Sequence, residues 1–140
     1  MRIYFAGSIR GGRKDVIFYR ELIDFLQGYG DVLTEHVGDQ TLTEARSECH
    51  DDEYIHARDL DWLKSSDIVI AEVTTPSLGV GYEIATAVYL NKRVVCLYRP
   101  RKDRKLSAMI AGNHNLSILE YDDIRKAKQA IAEFLREVDT

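Results

Sequence analysis

Ser77-Leu78-Gly79-Val80-Gly81-Tyr82-Glu83 follows the apolar run Ile68-Val69-Ile70-Ala71-Glu72-Val73 and precedes a helix-like run from Ile84 to Asn91. The apolar run is continuous and rich in β-branched residues, as a strand buried on both faces should be. A strand that empties through a glycine-containing loop into a helix aims backbone N–H groups at one point, and that point suits an anion. Glu83 is expected in the first turn of the helix, at the carboxyl edge of the sheet, where open α/β sheets bind ligands. A carboxylate beside an anion site needs a purpose. A phosphate that anchors a nucleotide, with Glu83 facing its sugar, supplies one.

The rest of the chain repeats the alternation. Arg2-Ile3-Tyr4-Phe5-Ala6 reads as a strand that ends in Gly7-Ser8-Ile9-Arg10-Gly11-Gly12-Arg13. The glycines let backbone amides approach a ligand, and arginine can grip phosphate oxygens with two bonds. This loop lacks the Gly-Lys-Ser/Thr ending of a P-loop and is not GxGxxG; a plain turn with solvated arginines is the alternative to a phosphate grip. Asp15 to Gln27 is an amphipathic helix with Val16, Tyr19, Ile23 and Leu26 at spacings of three and four. Asp31-Val32-Leu33 begins a second strand that ends in Thr34-Glu35-His36, which puts His36 at a strand's carboxyl end.

Gly38 to Asp52 is polar and aperiodic, and its length suits a flap over a site. His50 and the nearby acids lack HxxxH or HExxH spacing, so a solvated acidic loop is preferred to a metal site. Glu53 to Ser65 reads as a helix carrying His56, Arg58, Asp59 and Asp61. Arg93 to Tyr98 is a fourth strand, followed by the basic run Arg99 to Lys105, a short helical start at Leu106–Ile110, a fifth strand at Leu116–Tyr121 and a closing helix from Asp122 to Val138.

Strands and helices thus alternate about five times, which implies a parallel sheet covered on both faces. The expected fold is α/β: a flavodoxin-like, Rossmann-type three-layer sandwich with a five-stranded parallel sheet of order 2-1-3-4-5, in a single domain spanning residues 1–140. The loops after strands 1 and 3 then face each other across the switch-point crevice.

Composition narrows the classes. The chain has 140 residues, 45% hydrophobic and 30% charged, with a formal net charge of −4. That charge argues against a general nucleic-acid surface but leaves room for a local basic pocket. Cys49 and Cys96 lack CxxC spacing, and Cys96 lies in an apolar run as a core thiol would. A reducing cytoplasmic setting, with the nucleus open to a eukaryotic chain, is the expectation. The apolar runs are too short to span a membrane.

Four segments together carry a resemblance: Tyr4 to Arg13, Asp59-Leu60-Asp61-Trp62-Leu63, Pro76 to Glu83, and Leu106-Ser107-Ala108-Met109-Ile110. In this order the chain resembles the 2′-deoxynucleoside 5′-phosphate N-hydrolases of the nucleoside 2-deoxyribosyltransferase family, from Tyr4 to about Phe134. The stretch Gly38–Asp52 matches poorly. The resemblance implies that Glu83 is the nucleophilic carboxylate. It makes Asp59 the second carboxylate, assisting proton transfer to the base, and Tyr4 the tyrosine beside sugar and nucleophile. Ser8, Arg10, Ser77 and Gly79 match positions at or next to the 5′-phosphate; Gly7, Ile9, Gly11, Gly12 and Arg13 complete that loop. His36 matches a histidine near the base. Ser107, with Met109 beside it, matches a serine that the partner subunit of a homodimer lends to the same phosphate.

The implied chemistry is that of a retaining glycosidase: a carboxylate traps the oxocarbenium-like C1′, and water releases the sugar, with the two carboxyls roughly 5–5.5 Å apart. No metal or cofactor is required, because the leaving group is a stabilised base anion. Base exchange through the same intermediate is the first alternative. Action on ribonucleotides, a non-catalytic nucleotide sensor and a flavodoxin-like electron carrier are the others. The preferred base stays open.

Overall fold

The computed structural model describes residues 1–9, 15–39 and 50–139. Arg10, Gly11, Gly12, Arg13, Cys49 and most of the expected flap lie outside the described residues. Five strands, β1 (Arg2–Ala6), β2 (Asp31–Val32), β3 (Ile68–Glu72), β4 (Arg93–Tyr98) and β5 (Leu116–Glu120), form one parallel sheet in the order β2-β1-β3-β4-β5. Helices α1 (Val16–Leu26), α2 (Asp52–Ser65), α3 (Leu78–Tyr89), α4 (Ala108–Ala111) and α5 (Ile124–Val138) connect and cover it.

Alternation along the central strands divides the core in two. Ile3, Phe5, Ile68, Ile70, Val95 and Leu97 point to one face, where they pack with Tyr19, Leu22, Ile23 and Leu26 of α1 and Ala127, Ile131 and Leu135 of α5. Tyr4, Ala6, Val69, Ala71, Val94 and Cys96 point to the other, beneath Leu63 of α2 and Val80, Ile84 and Ala87 of α3. Cys96 is a buried free thiol, as its apolar surroundings imply. Tyr4 therefore belongs to the α2–α3 side of the sheet, and this choice of face decides where the site lies.

Two elements depart from expectation. Strand β2 stops at Val32, and Glu35–Gly38 is a short 3-10 turn. The cause is Thr34, whose Oγ1 accepts the Phe5 N–H at 2.8 Å and donates to the Phe5 carbonyl at 2.6 Å. One side chain takes over both ladder bonds, so the backbone is released to turn. His36 thus rides on this turn and not on a strand end.

The second departure concerns the glycine stretch. Helix α3 begins at Leu78, capped by Ser77, and not at Ile84. Gly79 and Gly81 are helical, and Glu83 falls in the second turn, not the first. Ser77 Oγ accepts the Val80 N–H at 3.3 Å, which closes the first turn despite the poor helix propensity of glycine.

Among the described residues no helix is long and apolar enough to cross a membrane.

Candidate active site

A cleft of about 610 Å³ opens at the carboxyl edge of the sheet, on the α2–α3 side. Gly7 and Ile9 wall it from the exit of β1, His56, Asp59 and Leu60 from α2, and Ser77, Gly79, Tyr82 and Glu83 from α3 and its cap. The crossover from β1 to β3 is what sets these loops opposite each other.

Tyr4 supports the cleft wall from within the core. It is 1% exposed on β1, and its hydroxyl hydrogen-bonds Glu83. Burial, reinforced by the Glu83 and Asp59 carboxylates, pushes this phenol far above its ordinary range. It therefore stays a neutral donor to the Glu83 side chain. The two expected carboxylates and the expected tyrosine thus meet in one cleft.

Gly79 faces the same space. A Cβ added there would stand 3.8 Å from Ser77 Oγ and 3.9 Å from Glu83 Oε1, so protein atoms leave room for it while it would project beside the carboxylate. The N–H groups of a helix's first turn have no intrahelical acceptor; here the Ser77 side chain takes that of Val80, and Leu78 and Gly79 line the cleft. Gly7 is different. Its Cβ would come within 2.9 Å of Val37 Cγ1 and 3.1 Å of the Tyr19 ring, so its role is packing.

The remaining expected residues are placed less directly. Ser8 is buried, and its N–H donates to the Tyr19 hydroxyl at 3.2 Å. His36 lies beside the Trp62 ring, with centroids 5.8 Å apart, and its Nε2 is 3.5 Å from Arg58 Nη2. Ser107 caps α4, accepting the Met109 N–H at 3.3 Å. Ser107 and Met109 wall a second cleft of about 970 Å³, which shares Ser77, Leu78 and Val80 with the first.

Several residues at the site were not foreseen. Arg58 pairs with Asp59 at 2.9 Å. His56 Nε2 is 3.2 Å from the Tyr82 hydroxyl across the mouth of the cleft. Asp15, 1% exposed, accepts from Thr75 Oγ1 and Arg99 Nη2, each at 2.6 Å, and from Arg101 Nη2 at 3.3 Å. The loops after β1, β3 and β4 are thereby tied together next to the site. His50 lies against the Tyr54 ring, with centroids 4.3 Å apart. Among the described residues no three His, Cys, Asp or Glu side chains gather as a metal site would.

The profile of the nucleoside 2-deoxyribosyltransferases matches residues 3–133. The chain belongs to the nucleoside 2-deoxyribosyltransferase family. Within this family it is 49% identical over 126 residues to the 5-hydroxymethyl-dUMP N-hydrolase of Danio rerio, covering 90% of this chain and 88% of that one. It is 59% identical over 115 residues to a Nematostella vectensis protein that carries the provisional name 2′-deoxynucleoside 5′-phosphate N-hydrolase 1, covering 81% and 78%. Among solved structures of the same fold, the CMP N-glycosidase BcmB of Clostridium botulinum superposes with a TM-score of 0.72 at 20% identity, over 96% of this chain and 99% of that one. That likeness is one of fold.

Proposed function

We propose that this chain hydrolyses the N-glycosidic bond of 2′-deoxynucleoside 5′-monophosphates, giving free base and 2-deoxyribose 5-phosphate. The observation that carries the reading is the Tyr4–Glu83 hydrogen bond behind a cleft that both Glu83 and Asp59 line. The names of close relatives, N-hydrolases of deoxynucleoside phosphates, point the same way.

In the first step Glu83 attacks C1′. The C1′–N bond breaks and its electron pair leaves with the base, while a C1′–O ester to Glu83 forms. The base takes up a proton from the Asp59 side, directly or through water. In the second step water attacks C1′ and gives its proton to the Asp59 side, which restores the proton lost in the first step, while the C1′–O ester bond breaks and releases Glu83 as carboxylate. The 5′-phosphate sits at the N-terminus of α3, against the Ser77–Gly79 end, where amide donors and the helix dipole favour an anion. The Asp59–Arg58 pair is placed on the base side, together with His36.

A homodimer completes this reading. Leu78, Tyr89 and Met109, 97%, 88% and 83% exposed, surround the second cleft or stand next to it. An apolar face of this kind marks a contact surface, and a second copy seated there would bring Ser107 of the partner subunit toward the Ser77 end of the phosphate site. Mixed dimers test this. Glu83→Ala and Ser107→Ala protomers, each poorly active alone, are expected to regain turnover when mixed, because one site then has both residues.

The covalent step has its own test. Mass spectrometry of enzyme quenched during turnover is expected to find the deoxyribose 5-phosphate adduct on the peptide carrying Glu83. Substrate consumption with unmodified peptide at every quench time would instead favour direct attack by water.

A further inference from the structure

Arg58 precedes Asp59 on α2, and neighbouring positions on a helix do not face each other. The arginine nevertheless folds back onto its neighbour. Its Nε lies 3.0 Å and its Nη2 2.9 Å from the same oxygen, Asp59 Oδ1. The side chain is only 15% exposed. Trp62, one turn along the same face, lies under the guanidinium at 4.6 Å, and Tyr54, one turn back, at 5.9 Å. Nη2 also reaches His36 Nε2 at 3.5 Å, so the 3-10 turn after β2 is held to α2 at this point.

An exposed ion pair of this type would contribute little, because both side chains would lose freedom to form it. Here the aromatic rings have already fixed the cation, and the carboxylate it grips belongs to the wall of the cleft. Arg58 occupies Oδ1 and leaves Oδ2 to other partners. Among the described residues, Arg58 on α2 and Glu83 on α3 share with Asp59 an electrostatic influence on Tyr4 of β1, His36 lies behind Arg58, and Asp52 and His56 wall the same cleft. Arg58 is the cation paired directly with Asp59.

We propose that Arg58 is a positioning residue for Asp59, fixing its rotamer toward the base and setting the pH at which it gives up its proton. This rests on the reading of Glu83 and Asp59 as the catalytic carboxylates. Removing an adjacent cation makes a carboxylate hold its proton to higher pH, by about one unit or more. Misplacing the same group by an ångström slows chemistry by about a hundredfold.

The test uses Arg58→Gln, Arg58→Lys, Asp59→Asn, the Arg58→Gln/Asp59→Asn double variant and Glu83→Gln. The Asp59 carboxyl carbon is followed by 13C NMR from pH 3 to 9, assigned by its absence in Asp59→Asn. Its midpoint is expected to rise by about one unit in Arg58→Gln and to stay near wild type in Arg58→Lys, which keeps the charge but not the planar fork. In turnover of a deoxynucleoside monophosphate, Arg58→Gln is expected to lower kcat more than it raises KM, with kcat/KM down about tenfold to a hundredfold. The limb of the pH profile that disappears in Asp59→Asn should move upward, and Arg58→Gln should cost little more once Asp59 is already Asn. An unmoved NMR midpoint, or equal losses in both backgrounds, overturns the proposal. The NMR titration needs no substrate. Loss of turnover in wild type, or its survival in Glu83→Gln, would instead count against the functional reading.

Discussion

The Tyr4 hydroxyl on β1 hydrogen-bonds the Glu83 carboxylate on α3, joining the sheet to the wall of the cleft. Burial and the two nearby carboxylates keep this phenol protonated, so the bond is available across the working pH range. Tyr4→Phe retains the ring in the core and removes only the donor. It is expected to lower kcat by about tenfold to a hundredfold beyond any fall in thermal midpoint, since a donor to a charged group contributes about 1.5–3 kcal/mol. Steady-state kinetics beside a melting curve separates the two effects.

Asp15 is the second structural prediction. Its carboxylate is shared by Thr75, Arg99 and Arg101, from loops that reach the site from two other strands. Asp15→Ala strips the partner from two arginines that are 17% and 30% exposed. The cost of breaking a buried pair, reduced by that exposure, is about 2–3 kcal/mol. Thr75→Val removes one hydrogen bond and should cost about 1 kcal/mol. Urea denaturation of both variants checks the order.

Glu72 gives a pH dependence with a definite sign. It is fully buried at the end of β3, where it accepts from the Thr74 N–H, the Thr74 hydroxyl and the Tyr121 hydroxyl. Burial raises its pKa above the ordinary value of 4.5 and outweighs those three donors. The folded protein then binds the proton more tightly than the unfolded chain. Stability from this group is full below about pH 4.5 and is lost as pH rises through the folded value. Glu72→Gln cannot titrate, so the difference in unfolding free energy between wild type and variant should shift steadily toward the variant as pH rises over that window. A difference that does not change with pH would mean that Glu72 titrates alike in both states.

The two glycines of α3 are expected to behave differently. A methyl at Gly81 meets nothing within 4 Å, whereas one at Gly79 stands beside Glu83 and Ser77. Both changes improve helix propensity by about 1 kcal/mol. Gly81→Ala should therefore stabilise with activity retained, and Gly79→Ala should fold well yet bind the nucleotide poorly. KM for the two variants, measured on the same substrate, makes the comparison.

The sheet was legible in the sequence because Ile68–Glu72 and Arg93–Tyr98 are short, apolar and separated by helical spacing. Glu83 could be brought to the carboxyl edge by topology, whereas Tyr4 and Asp59 came from the resemblance. The start of α3 was not legible, since Gly79 and Gly81 read as a loop until the Ser77 cap is seen to hold the first turn. Strand β2 was overextended because a single threonine, Thr34, satisfies Phe5 in place of the ladder. Thr75 and Arg99 lie 60 and 84 residues from Asp15 in sequence, so no local pattern announces their meeting. Arg58 escaped for the opposite reason: it is adjacent to Asp59, and adjacent helix positions normally diverge.

Base release, followed by chromatography, is the most direct measurement of the central claim. The wild-type protein and Glu83→Ala are compared on dGMP, dCMP, dTMP and 5-hydroxymethyl-dUMP, with GMP and deoxyguanosine as contrasts, each with and without an acceptor base. The account predicts release from deoxynucleoside monophosphates without an acceptor, reduced by at least about a thousandfold in the variant. Turnover of deoxyguanosine only when an acceptor base is present, or nucleotide binding with no base released, would contradict it.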